Sequence, residues 1–198
     1  MNGIIYTMAR RSGGFTDKSK AFTKNIKDEV IKSYTVGRTP IESYIEKYIK
    51  NVKGSKLPYD KLYHLFIIIE LENGMFILTE KNPNTIFKVV GGNVVENRGA
   101  QSFLVPVVVP EITFGEFIDN VKKLQGKKFN QYDALKNNCQ DYILDVVKAL
   151  HSDFSEDDAS NDITDFIKQD VSSIMYSSDF KIAKVITDLY GTLTGLVS

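Results

Sequence analysis

The chain has 198 residues, room for one domain with a few appended helices, and its 42% apolar residues supply a core of ordinary size. Twenty-five basic residues balance 25 acidic ones; with a formal charge of zero and only the short Ala9-Arg10-Arg11 cluster, read as a solvated arm, the composition argues against a nucleic-acid binder. One cysteine excludes an internal disulfide, no apolar run approaches the ~20 residues of a membrane span, and the first residues lack a signal-peptide pattern, so a soluble intracellular protein is expected.

Residues 1–15 show little periodicity and read as an irregular arm. From Thr16, the residues Phe22, Ile26, Val30, Ile31 and Tyr34 recur at helical spacing until Gly37 interrupts. Thr39-Pro40-Ile41-Glu42 has the form of a capped helix start, with Ile41, Tyr44, Ile45, Tyr48 and Ile49 as its stripe. Lys53 to Pro58 ends that helix as a linker. A β region follows. Tyr63–Leu71 is rich in β-branched and aromatic residues, Asn73-Gly74 signals a hairpin, and Met75–Glu80 returns as the partner strand. Ile86–Val90 and Ser102–Val109 are further strands, Pro106 pointing to an edge or a bulge in the latter. The expected sheet is an antiparallel meander.

Thr113 to Glu116 is a second capping box, opening a helix with the stripe Phe114, Phe117, Ile118, Val121 and Leu124 and stopped by Gly126. Asn138 caps another helix carrying Tyr142, Ile143, Val146, Val147 and Leu150. Ser152–Asp162 reads as an acidic linker, and Ile163–Leu196 as two more helices. The domain expectation is an N-terminal helical extension over 1–56, a core over 57–151, and a linker with packed helices over 152–198.

Cys139 falls in the first turn of the helix that Asn138 caps. A helix N-terminus favours the thiolate that a nucleophilic cysteine needs, and the backbone N–H of Cys139 is placed to meet an oxyanion. The chain has two histidines. His151 lies about three turns along the same helix, well over ~10 Å away, and cannot reach the thiol. His64 opens a strand and can meet it if the sheet packs on that helix. A third group orients such a base. With Asn73-Gly74 as the two turn residues, Glu80 falls opposite Ile67 and Asn82 opposite Leu65, nearer His64; both are candidates. A lone cysteine is ordinarily a small buried apolar residue, and Glu80 beside Lys81 reads equally as a solvated pair. The combination of strand histidine, hairpin acid and helix-start cysteine is what points to thiol chemistry. No metal set is expected from two histidines and one cysteine, widely spaced, and no cofactor motif is present.

Tyr63-His64-Leu65-Phe66-Ile67, Ile77-Leu78-Thr79-Glu80-Lys81-Asn82 and Asn138-Cys139-Gln140-Asp141-Tyr142, in that order, resemble the circularly permuted branch of the NlpC/P60 (papain-like) superfamily. Asn138, Cys139 and Tyr142 fit its Asn-Cys-x-x-aromatic pattern. The resemblance spans about residues 57–150. It implies an α+β fold, an antiparallel sheet packed on the helix that carries Cys139. It also implies a thiol hydrolase (amidase, peptidase or esterase) with Cys139, His64 and Glu80 as its triad, Asn82 as the alternative third residue, and Asn138 and Tyr63 as oxyanion or support groups. The acyltransferase members place a second histidine in the third position; its absence here moves the resemblance toward the YiiX-like hydrolase and poxviral members. The implied substrate is a peptide, cell-wall peptide or lipid with an amide or ester, and the implied setting is intracellular, or host cytoplasm or virion if the chain is viral. The rival expectations are an acyltransferase and a non-catalytic binding or virion structural protein that keeps the fold.

Overall fold

The fold is that of a computed structural model, which describes residues 15–40, 63–81, 84–106, 111–131, 137–151 and 162–168. In chain order the elements are α1 (Asp17–Asn25), β1 (Ile31–Pro40), β2 (Tyr63–Leu71), β3 (Phe76–Lys81), β4 (Thr85–Val90), α2 (Val94–Asn97), β5 (Gln101–Pro106), α3 (Phe114–Gln125), a 3-10 turn (Gly126–Asn130), α4 (Cys139–Leu150) and α5 (Asp162–Ile167). The class is α+β. Five strands form one antiparallel sheet in the order β4-β3-β2-β1-β5.

Four consecutive strands run as a meander, but β5 does not continue it. It crosses to the far edge and pairs with β1, Tyr34 opposite Val105. Pro106, which cannot donate to a ladder, ends this edge strand. Strand β1 is the main departure from the sequence expectation. Helical spacing holds only through α1, capped by the Thr16 side chain accepting from Ser19 N. Beyond it, Val30, Ile31 and Tyr34 belong to extended chain, and Thr39 and Pro40, expected to open a helix, pair with His64 and Tyr63 at the end of β1. Residues 31–40 are therefore sheet. The physical reason is burial by period two: Tyr34 and Val36 are buried on the face that α3 and α4 cover. Gly37 is the signature of that strand. It faces Phe66 across the ladder, and a Cβ there would stand 2.2 Å from Cζ of the Phe66 ring. The expected helix beyond Pro40, the N-terminal arm before Phe15, residues 107–109 of the fourth expected strand, the acidic linker before Asp162 and the last tail helix lie outside the described residues.

The β2–β3 hairpin is tighter in one respect and longer in another than a two-residue turn. Gly74 N donates to Leu71 O at 2.9 Å and Leu71 N to Met75 O at 2.9 Å, enclosing a three-residue loop, Glu72-Asn73-Gly74. Gly74 takes φ of +81°, which only the last loop residue of this turn type demands. The extra residue moves the ladder by one: Phe66, not Ile67, lies opposite Glu80.

Alternation then sorts β2 into two faces. Leu65, Ile67, Ile69 and Leu71 join Phe117, Val121, Ile143 and Val146 in the main core under α3 and α4. Phe66 and Ile68, with Leu78 of β3, form a small second cluster closed by Val94, Val95 and Ala100 around α2. The capping box of α3 is as expected, and Gly126, with φ of +50°, ends that helix. Its stripe is one residue off at the end: Leu124 is exposed, whereas Gln125 is buried. Among the described residues no helix is long and apolar enough to cross a membrane, and no group of three His, Cys, Asp or Glu side chains could hold a metal ion.

Candidate active site

The site lies where β2 begins, β3 ends and α4 starts. The one-residue shift in the hairpin decides which side chains meet there. A two-residue turn would have set Glu80 opposite Ile67, on the face away from His64. In the observed register Glu80 lies opposite Phe66, so it shares the face of His64 and sits diagonal to it. Glu80 Oε2 is 3.1 Å from His64 Nε2. Facing an ionised carboxylate, Nε2 carries the proton of the neutral ring and donates it, which leaves Nδ1 unprotonated. The Cys139 side chain, at the tip of α4, is near enough to the ring to raise its affinity for a proton.

A fourth group completes the row. Arg98, just after α2, donates from Nη1 to Glu80 Oε2 at 2.9 Å and from Nη2 to Oε1 at 3.4 Å. Its guanidinium lies over the Phe66 ring at 4.7 Å from the centroid. Nothing in the local sequence pattern flags Arg98, because its role depends on the α2 turn folding back over the second face. Asn82 lies outside the described residues.

The electrostatics follow from this row. Burial by itself disfavours a charged ring at His64, but hydrogen bonds to Cys139 and Glu80 and their charges outweigh it and push the imidazole up to about 10. Burial would likewise favour a neutral Glu80. His64 and then Arg98 overcome it and hold the carboxyl well below the usual carboxylate range. The His64 side chain keeps 18% of its surface exposed and Glu80 only 8%, so the ring is more open to solvent than the acid behind it.

The cysteine is fixed by its helix. Asn138 Oδ1 accepts from Gln140 N at 2.7 Å and Asp141 N at 3.3 Å, while Asp141 Oδ2 accepts from Asn138 N at 3.0 Å. This closed capping box engages the N–H groups beyond Cys139 and not that of Cys139 itself. Asn138 thus serves by holding the helix tip. Tyr142, one turn on, exchanges a 2.6 Å hydrogen bond with Thr79 and so pins α4 to β3. Tyr63, expected as a support group, has its ring under the Arg38 guanidinium at 4.7 Å, in a stack with Phe166 of α5. His151 ends α4, beside the ring of Tyr34 and away from the thiol.

The structure thus sets His64 against Glu80, with Cys139 near enough to influence the ring's protonation. No family model, curated protein or solved structure matches the chain.

Proposed function

We propose that the protein is a thiol hydrolase of the permuted papain-like kind, acting on an amide or ester through an acyl-enzyme. One observation carries the reading: an imidazole hydrogen-bonded to the Glu80 carboxylate, with the Cys139 side chain near enough to act on its protonation. That is the arrangement by which a base activates a nucleophile while a third group keeps the base in one tautomer.

The chemistry then runs in two halves. His64 holds the proton of the Cys139 thiol, and the thiolate attacks the substrate carbonyl carbon to form a C–S bond. The oxyanion forms beside the Cys139 N–H, at the positive end of α4. As the C–N or C–O bond breaks, His64 gives its proton to the departing amine or alcohol. Water next attacks the thioester, delivering a proton to His64. The C–S bond breaks, the acid is released and the thiol takes back its proton. Glu80 stabilises the imidazolium whenever His64 holds the extra proton, and Arg98 keeps Glu80 ionised and in place.

The test uses the thiol directly. Wild-type Cys139 is expected to be alkylated by iodoacetamide at pH 6, and an activated ester is expected to leave an acyl mass on Cys139 in intact-protein mass spectrometry. His64→Ala should suppress both. Equal alkylation rates in wild type and His64→Ala would remove the enzyme reading and leave a binding protein with an ordinary thiol.

A further inference from the structure

Glu80 and Lys81 are neighbours on β3, and the strand sends them to opposite faces. Lys81 is not a solvated partner of Glu80. It is fully buried and reaches under the start of α4. Its Nζ donates to Gln125 Oε1 at 2.8 Å, to the carbonyl of Lys128 at 3.0 Å and to Asn137 Oδ1 at 3.3 Å. Asn137 in turn donates to the Lys128 and Gln131 carbonyls at 2.8 and 2.6 Å, and Gln125 Nε2 to Asp145 Oδ2 at 2.6 Å. One ammonium thus ties the end of α3, the 3-10 turn and the segment that leads into Asn138 and Cys139. A buried cation is kept where its donors are all used, and here all three are.

We propose that Lys81 is a positioning residue for the thiol. The end of β3 works as a two-pronged gauge: Glu80 fixes the imidazole on one face, while Lys81 fixes the helix tip that bears the sulfur on the other. This inference rests on the thiol-hydrolase reading and adds to it the device that sets the distance between base and nucleophile. The surroundings of Lys81 agree with a strained but useful charge. Burial pushes its ammonium down to about 8, Asp145 and Asp141 of α4 pull it back up, and Lys128 of the 3-10 turn lowers it further.

The test follows the imidazole rather than turnover. His64 and His151 are the two histidines of the chain, so their ring protons are separable by NMR. In wild type, Cys139→Ala should move the His64 titration to lower pH. Lys81→Met, which removes the donors and keeps the length, should move it in the same direction. It should also slow alkylation of Cys139 at pH 6 by about tenfold, on the scale that sub-ångström misplacement of a reacting group costs. Phe114→Leu, in the core near the opposite strand ends and matched for loss of melting temperature, should change neither. If Lys81→Met does not fold, Asn137→Ala, which removes one arm of the clamp, takes its place with the same expectation. A His64 titration that responds to Cys139→Ala but not to the Lys81 or Asn137 variant overturns the positioning role alone. A titration indifferent to Cys139→Ala overturns the hydrolase reading beneath it.

Discussion

The two faces of the sheet are built by opposite rules. Under α3 and α4, β2 contributes Leu65, Ile67, Ile69 and Leu71 to a broad apolar core. On the other face the same strand contributes Phe66 and Ile68 to a small cluster, and next to them stand His64, Glu80 and Arg98 in a charged row. The first face holds the fold mainly by apolar burial, with the clamped Lys81 at the end of β3; the second holds a row of charges out of water, which is stable only while each has its partner. On the proposed reading, adjacent residues of β2 divide packing from chemistry, and substitutions should divide in the same way.

The largest effect is expected at the tip of α4. Cys139→Ala should remove hydrolysis almost entirely, by about 10⁴-fold or more, as loss of a nucleophile does, with little change in a urea unfolding curve. On the apolar face, Ile67→Ala should cost about 2–5 kcal/mol in urea denaturation while the folded fraction alkylates at the wild-type rate. A matching loss of thiol reactivity there would break the separation of the faces. Returning to the charged row, Glu80→Gln should lower acylation about 10²-fold, the scale of lost general-base support, with the pH profile displaced because the imidazolium has lost its anion.

Gly37→Ala sits between the two regimes. Its Cβ would collide with the Phe66 ring, and overpacking of this kind costs about 1–3 kcal/mol. Because Arg98 stacks on that ring, the variant should also weaken acylation, which Ile67→Ala should not. The smallest effect is on pH dependence. His64 is raised from 6.5 to about 10 on folding, so its contribution is fully present below about 6.5 and is lost as pH rises toward 10. Glu80 is lowered, so its contribution is present above its ordinary 4.5 and is lost in acid. Urea midpoints of wild type and His64→Ala, measured from pH 6 to pH 10, should therefore converge as pH rises.

The elements that alternate or cap cleanly were legible in the sequence. Tyr63–Leu71 is a strand of the expected bounds, and Thr113 and Asn138 cap the helices they announce. Strand β1 was not legible, because Phe22, Ile26 and Ile31 can be read at helical spacing while their burial is set by two different elements. The site shows the same limit more sharply. His64, Cys139 and Glu80 carry recognisable chemistry, yet Glu80 reaches the correct face only through a three-residue loop where Asn73-Gly74 suggests two. A single residue of turn length exchanged the faces of a whole strand. Arg98 and Lys81 could not be read at all, since an arginine after a short turn and a lysine at a strand end gain meaning only from what folds over them.

The helix that carries Cys139 is the last of the triad's supports along the chain, and the sheet that presents His64 is closed by pairings distant in sequence. Such pairings form slowly compared with local helices. During synthesis, the residues that would activate the sulfur emerge well ahead of it and wait without a target. If His64 activates Cys139 as proposed, the cysteine would stay an ordinary thiol until the sheet has closed beneath it. On the proposed reading, reactivity would be deferred to the finished fold, sparing a nascent polypeptide from acylating or cross-linking itself on the way.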